Sequence, residues 1–219
     1  MPQDQSASLQ TLQDIRNIMD RSARFISLSG WSGVWAGSVA LAGSAIAYSW
    51  LKDQPAGFFN PYAADGVADA PTEYYSFINS FIFLALGILV VAILGAFYFT
   101  WRKTKQQGGN VWNAPSKRMV AQIAIPMTAG AIFALHFLFN GHESYVAPVF
   151  LTFYGLALIN GSKYTVSDIR YLGLLEVILG CISLMMPGNG LIFWAVGFGV
   201  LHILYGIIMW NKYDKHPAS

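Results

Sequence analysis

Residues 169–210 read IRYLGLLEVILGCISLMMPGNGLIFWAVGFGVLHILYGIIMW. Two apolar runs, Ile169 to Pro187 and Leu191 to Trp210, flank the tetrad Pro187-Gly188-Asn189-Gly190. Each run approaches the roughly 20 apolar residues that a helix needs to cross a hydrocarbon layer about 30 Å thick. The tetrad supplies a helix stop and positions tolerant of left-handed backbone. The stretch therefore reads as a helical hairpin that crosses a bilayer twice.

Four further runs lie upstream, from Trp31 to Leu51, Phe77 to Trp101, Met119 to Phe139 and Tyr145 to Gly161. Six apolar runs in 219 residues leave too little polar sequence to cover a soluble core. Composition agrees: 55% of the chain is hydrophobic and 11% charged, where soluble domains carry roughly 25% charged residues. The fold class expected is all-α, a polytopic membrane protein with six transmembrane helices. A leader at 1–29 precedes a single bundle at 30–211, which has an outer loop at 52–76 and an inner loop at 102–118, and a tail follows at 212–219.

Short cytoplasmic loops retain Lys and Arg, so the positions of the basic residues give an orientation. Arg16, Arg21 and Arg24 lie in the leader, and Arg102, Lys103, Lys105, Lys117 and Arg118 follow the second run. Lys163 and Arg170 follow the fourth, and Lys212 and Lys215 close the chain. The opposite side holds Lys52 with Asp53, Asp65, Asp69, Glu73 and Glu143. Both termini are accordingly expected in the cytoplasm, and an even number of spans requires them to share a side. Trp31, Trp101 and Trp210 at inner ends, and Trp50 and Trp194 at or near outer ends, suit the headgroup layer.

The leader is helical in its periodicity. Leu12, Ile15, Met19, Ala23 and Ile26 share one face, and Asp14, Asp20, Arg21 and Arg24 share the other. An amphipathic helix on the cytoplasmic membrane surface is expected, with docking of a protein partner or a second copy as the alternative. Its length and its acidic residues argue against a cleavable secretory signal. Ser29, Gly33 and Gly37 recur every four residues in the first run, a ridge that lets two helices approach closely.

A net charge of +2 excludes the dense basic surface of a nucleic-acid-binding protein. A single cysteine, Cys181, excludes an internal disulfide and a Cys-based metal cage. The chain holds no phosphate loop, dinucleotide fingerprint, nucleophile elbow or zinc-protease motif, and no cofactor is implied. His136, His142 and Glu143 form a conceivable metal set whose spacing matches no ligand motif.

Ionisable residues inside spans are costly and mark candidate functional sites. Glu176 and His202 lie about 12.5 and 13.5 residues from the centre of the hairpin turn, hence at nearly equal depth, about 19 to 20 Å below it at 1.5 Å per residue. Tyr205 is three residues beyond His202 on the same face and could extend a hydrogen-bond chain. The pair reads either as a proton-handling or ligand-binding site or as a polar bond that fixes helix register. Pro126 and Asn160 are compatible with a polar cavity.

The leader LQDIRNIMDRS (residues 12–22), with FISLSG at 25–30, resembles a family of small six-span bacterial inner-membrane proteins without assigned chemistry. So does DIRYLG at 168–173, continued through Glu176, Gly180, Phe198-Gly199, His202 and Tyr205-Gly206. The resemblance implies a bacterial inner membrane and carries over no catalytic roles. Small-solute binding, sensing or transport linked to protons through Glu176 and His202 is the reading favoured. An accessory or scaffold protein that binds a partner or self-associates is the alternative, and a membrane-embedded enzyme ranks third, for want of a recognisable nucleophile.

Overall fold

The computed structural model describes residues 28–53 and 72–215. The leader helix and most of the outer loop expected from sequence lie outside the described residues. Six helices occupy the rest: α1 (Gly30–Leu51), α2 (Thr72–Gln106), α3 (Ala114–Phe139), α4 (Val146–Gly161), α5 (Ile169–Met185) and α6 (Gly190–Asp214). Five of them, α1 to α4 and α6, are long and apolar enough to cross a membrane, α4 together with its flanking single turns. The sixth, α5, has 17 residues, a length of about 25 Å against a hydrocarbon core of about 30 Å. Helices are the expected solution, because backbone groups in lipid must be satisfied within their own segment.

Successive helices alternate in direction. At one end, the start of α1 meets the ends of α2 and α6, and Asp168, which precedes α5, meets Lys212 and Tyr213 of α6. At the other end, Trp50 of α1 stacks edge-on against Phe81 of α2, their ring centroids 5.7 Å apart. There Gly190 of α6 lies over Ala147 of α4. The hairpin turn between α5 and α6 places Gly188 at φ +89°, the left-handed conformation that its sequence suggests.

Packing runs from α2 to α1, from α1 to α6, from α6 to α4 and α5, and from α4 to α3, with the closest-packed pair being α4 and α5. The small residues of α1 face α6 within the same chain. A side chain on Gly33 would meet the Gly206 Cα at 3.0 Å, and one on Gly37 would meet the Gly199 carbonyl at 2.5 Å. Gly30, not Ser29, completes this ridge. Ser29 instead donates its hydroxyl to Asp214 Oδ2 at 3.2 Å.

Asp214 ties three helix ends together. Its carboxylate accepts from the Gly30 N–H at 3.0 Å, which caps α1, and from Lys103 Nζ of α2 at 2.6 Å. Lys103 also donates to the Leu28 carbonyl at 2.8 Å. Both charges are largely buried, with side-chain exposures of 13% and 12%, so removing one leaves the other uncompensated. Asp214→Asn is expected to lower stability by about 2 kcal/mol, read by denaturant titration in detergent. Lys103→Met should cost much less in the Asp214→Asn background than in the parent, and strict additivity would refute the clasp.

Pro126 and Asn160 answer each other. Proline lacks the N–H that would bond the carbonyl four residues earlier, which is that of Gln122. Asn160 of α4 supplies the missing donor, to the Gln122 carbonyl at 3.1 Å and to its Oε1 at 2.8 Å. The freed carbonyl is thus satisfied by an interhelical bond.

Candidate functional site: a buried Glu-His-Tyr trio

The middle of α6 departs from α-helical winding. Ala195–Leu201 forms π-helical turns that end immediately before His202, and such turns are frequent at functional sites. Gly197 and Gly199 lie in this segment, where a side chain would collide with its neighbours. At Gly197 an added Cβ would meet a Leu151 methyl, Glu176 Oε2 at 2.6 Å and Leu179 at 3.2 Å. The missing side chain is therefore the space that the Glu176 carboxyl occupies.

Glu176 and His202, level by residue counting, lie against each other: Nδ1 of His202 is 3.5 Å from Oε1 of Glu176. The imidazole makes its hydrogen bonds elsewhere. Nδ1 is 3.0 Å from the Gly197 carbonyl, and Nε2 is 2.7 Å from the Tyr154 hydroxyl of α4. A carbonyl can only accept, so Nδ1 carries a proton and donates it. In the neutral ring, Nε2 then accepts from Tyr154 O–H. Tyr154 and Phe198 also stack on the imidazole, with centroids 5.4 Å and 6.0 Å away.

Glu176 is fully buried, and neither carboxyl oxygen has a hydrogen-bond partner. An unsatisfied buried polar group costs about 1–3 kcal/mol. The trio can hold a neutral acid beside a neutral imidazole, or a carboxylate beside an imidazolium. Both arrangements carry the same number of protons and no net charge, and burial favours the neutral one, because desolvation penalises the ion pair. Nδ1, the nitrogen beside Glu176, already carries a proton, so the carboxyl stores its own, and an imidazolium forms only by protonation of Nε2 on the Tyr154 side.

Tyr205 does not join the trio by a hydrogen bond. Its hydroxyl is buried without a partner, and the position expected for it is taken by Tyr154. Tyr154 escaped the sequence reading, which counted only across the hairpin turn. The same count across the link 162–168 places Tyr154 level with Glu176, and would have found it.

The metal set does not assemble. His136 faces Asn140, whose Nδ2 is 3.4 Å from its Nδ1. His142, beyond the left-handed Gly141 (φ 72°), packs its ring against Phe137 and Tyr145. Among the described residues no three His, Cys, Asp or Glu side chains converge on a metal position. A cavity of about 340 Å³ sits at the far ends of α1 and α2, beside Ser49, Trp50, Asp53, Phe77 and Ser80, away from the trio.

No protein-family profile, curated protein or solved structure matches the chain. The trio's own chemistry therefore carries the functional argument.

Proposed function

We propose that this is a six-span protein of the bacterial inner membrane, with both termini cytoplasmic, that binds or moves a small solute in step with a proton held between Glu176 and His202. The resemblance of the leader and of residues 168–206 supports the membrane, and the one-sided basic residues support the orientation. The observation that carries the functional reading is the Glu176 carboxyl, buried near the middle of α5 with both oxygens unpartnered. A polar group kept only for helix register would be expected to have its bonds made. One left unsatisfied at stability's expense fits a group that changes its proton or its partner during function.

Infrared titration of the protein in lipid nanodiscs tests this reading. A protonated-carboxyl band that responds to bulk pH is expected in the parent, and Glu176→Gln should remove it. A spectrum identical in the parent and Glu176→Gln at every pH would overturn the proposal.

A second reading is supported by the closed packing around the trio, since Glu176 is 0% and His202 7% exposed. In it, the protein is an accessory or scaffold that self-associates or binds a partner through its N-terminal helix. Crosslinking in native membranes distinguishes the two. The scaffold reading requires a stable higher-order species that Glu176→Gln leaves intact.

A further inference from the structure

A proton held at Glu176 must reach it through a closed bundle, and the buried polar groups around the trio differ between its two ends. Towards the end that carries Lys103 and Asp214, Tyr205 follows His202 by one turn, a rise of about 4.5 Å. Its hydroxyl is buried and unpartnered. Tyr205 and Tyr154 pack against the same apolar cluster of Leu158, Ile169 and Leu172. Ile169 of that cluster directly follows Asp168 in the chain. Tyr213 O–H donates to Asp168 Oδ2 at 3.0 Å, and Lys212 donates to the same oxygen at 2.5 Å. Lys212 is exposed, so this cluster opens to the surface.

Towards the opposite end the first hydroxyl without a partner lies farther from the trio. Ser183 also has a buried hydroxyl without a partner, but it lies two turns of α5 from Glu176, a rise of about 10.5 Å. The hairpin that closes that end, residues 184–193, contains no ionisable side chain, and the carboxyl group at that end is Glu143, one oxygen of which is buried without a partner.

We infer that the proton held by Glu176 and His202 exchanges with the end of the bundle that carries Asp168 and Lys212, through the Tyr205 hydroxyl. Asp168, which accepts from Lys212 and Tyr213, is the surface end of the route. Tyr205 accepts a proton on its oxygen while releasing its own O–H proton inward, towards the His202 and Glu176 pair. Only O–H and N–H bonds change, and one proton passes from bulk water to the Glu176 carboxylate. The titratable groups along this path are Glu176 on α5, His202, Tyr205, Lys212 and Tyr213 on α6, Tyr154 on α4, and Asp168 ahead of α5.

The inference rests on the proton-holding reading above, and one experiment separates the two. Protein in nanodiscs is transferred to heavy water, and the rate at which the Glu176→Gln-sensitive carboxyl band takes up deuterium is followed by infrared spectroscopy. Tyr205→Phe should slow that uptake at least tenfold, Asp168→Asn should slow it severalfold, and Ser183→Ala should leave it unchanged. Parent-like uptake in Tyr205→Phe, or slowing in Ser183→Ala alone, overturns the route while Glu176 remains the proton site. If Tyr205→Phe fails to fold, Asp168→Asn decides the matter, and parent-like uptake there overturns the route. A spectrum without any Glu176→Gln-sensitive band overturns both the route and the reading beneath it.

Discussion

Replacing Glu176 with methionine is expected to raise the unfolding free energy by about 1–3 kcal/mol. The carboxyl shares the space above Gly197 with side-chain methyls of Leu151 and Leu179, and its oxygens have no partner to lose. Methionine has similar length and flexibility and fills irregular apolar gaps well. His202 keeps both of its hydrogen bonds in the variant, to the Gly197 carbonyl and to Tyr154, so no new orphan is created. Denaturant titration in detergent reads the change, and infrared spectroscopy should show the carboxyl band lost in the same variant. A register-setting role predicts the opposite sign. Destabilisation by 1 kcal/mol or more, on the order of one good hydrogen bond, would mean that Glu176 is a structural partner.

Gly206→Val should have the largest destabilising effect in the bundle. A Cβ at residue 206 would lie 2.5 Å from the Val34 nitrogen and 2.7 Å from the Gly30 carbonyl. Both are backbone atoms of α1, so no rotamer change relieves the clash and the helices must separate. Overpacking a well-filled interior typically costs 1–3 kcal/mol, and about 3 kcal/mol or more is expected here. Separation would also pull Asp214 away from the Gly30 N–H, which it caps at 3.0 Å. Asp214→Asn should therefore add little in the Gly206→Val background, because the two changes share one contact. Ile207→Val, one residue on and half exposed, is the control and should fall within about 0.5 kcal/mol of the parent. A Gly206→Val protein as stable as that control would refute the glycine seam.

The candidate site was partly legible in the residues. Counting from the Pro187-Gly188-Asn189-Gly190 turn placed Glu176 and His202 at one depth, because a tight turn gives two helices a common origin. The same arithmetic could not say which face each side chain presents. Nδ1 of His202 turns to the Gly197 carbonyl, and that orientation depends on the π-turns at Ala195–Leu201. No periodicity announces such turns, although Gly197 and Gly199 close together are their only local trace. The ridge of α1 was legible as a packing surface but off by one residue at its start. Ser29 is polar enough to bond Asp214, and Gly30 alone admits the backbone of Trp210.

Sequence alone determined the helical class, the apolar runs, the tight hairpin between the last two and the distribution of charge along the chain. These are properties of short segments: each run either satisfies its own backbone in lipid or does not, and each basic residue follows a particular run. Tertiary structure decided which faces meet. It brought Tyr154 to His202, Asn160 to the carbonyl freed by Pro126, and Asp214 to the start of α1. In water, a helix betrays its inner face by an apolar stripe. In this chain the exposed faces and those turned towards other helices are both apolar, so the rotation of each helix is set by close packing and a few interhelical polar bonds.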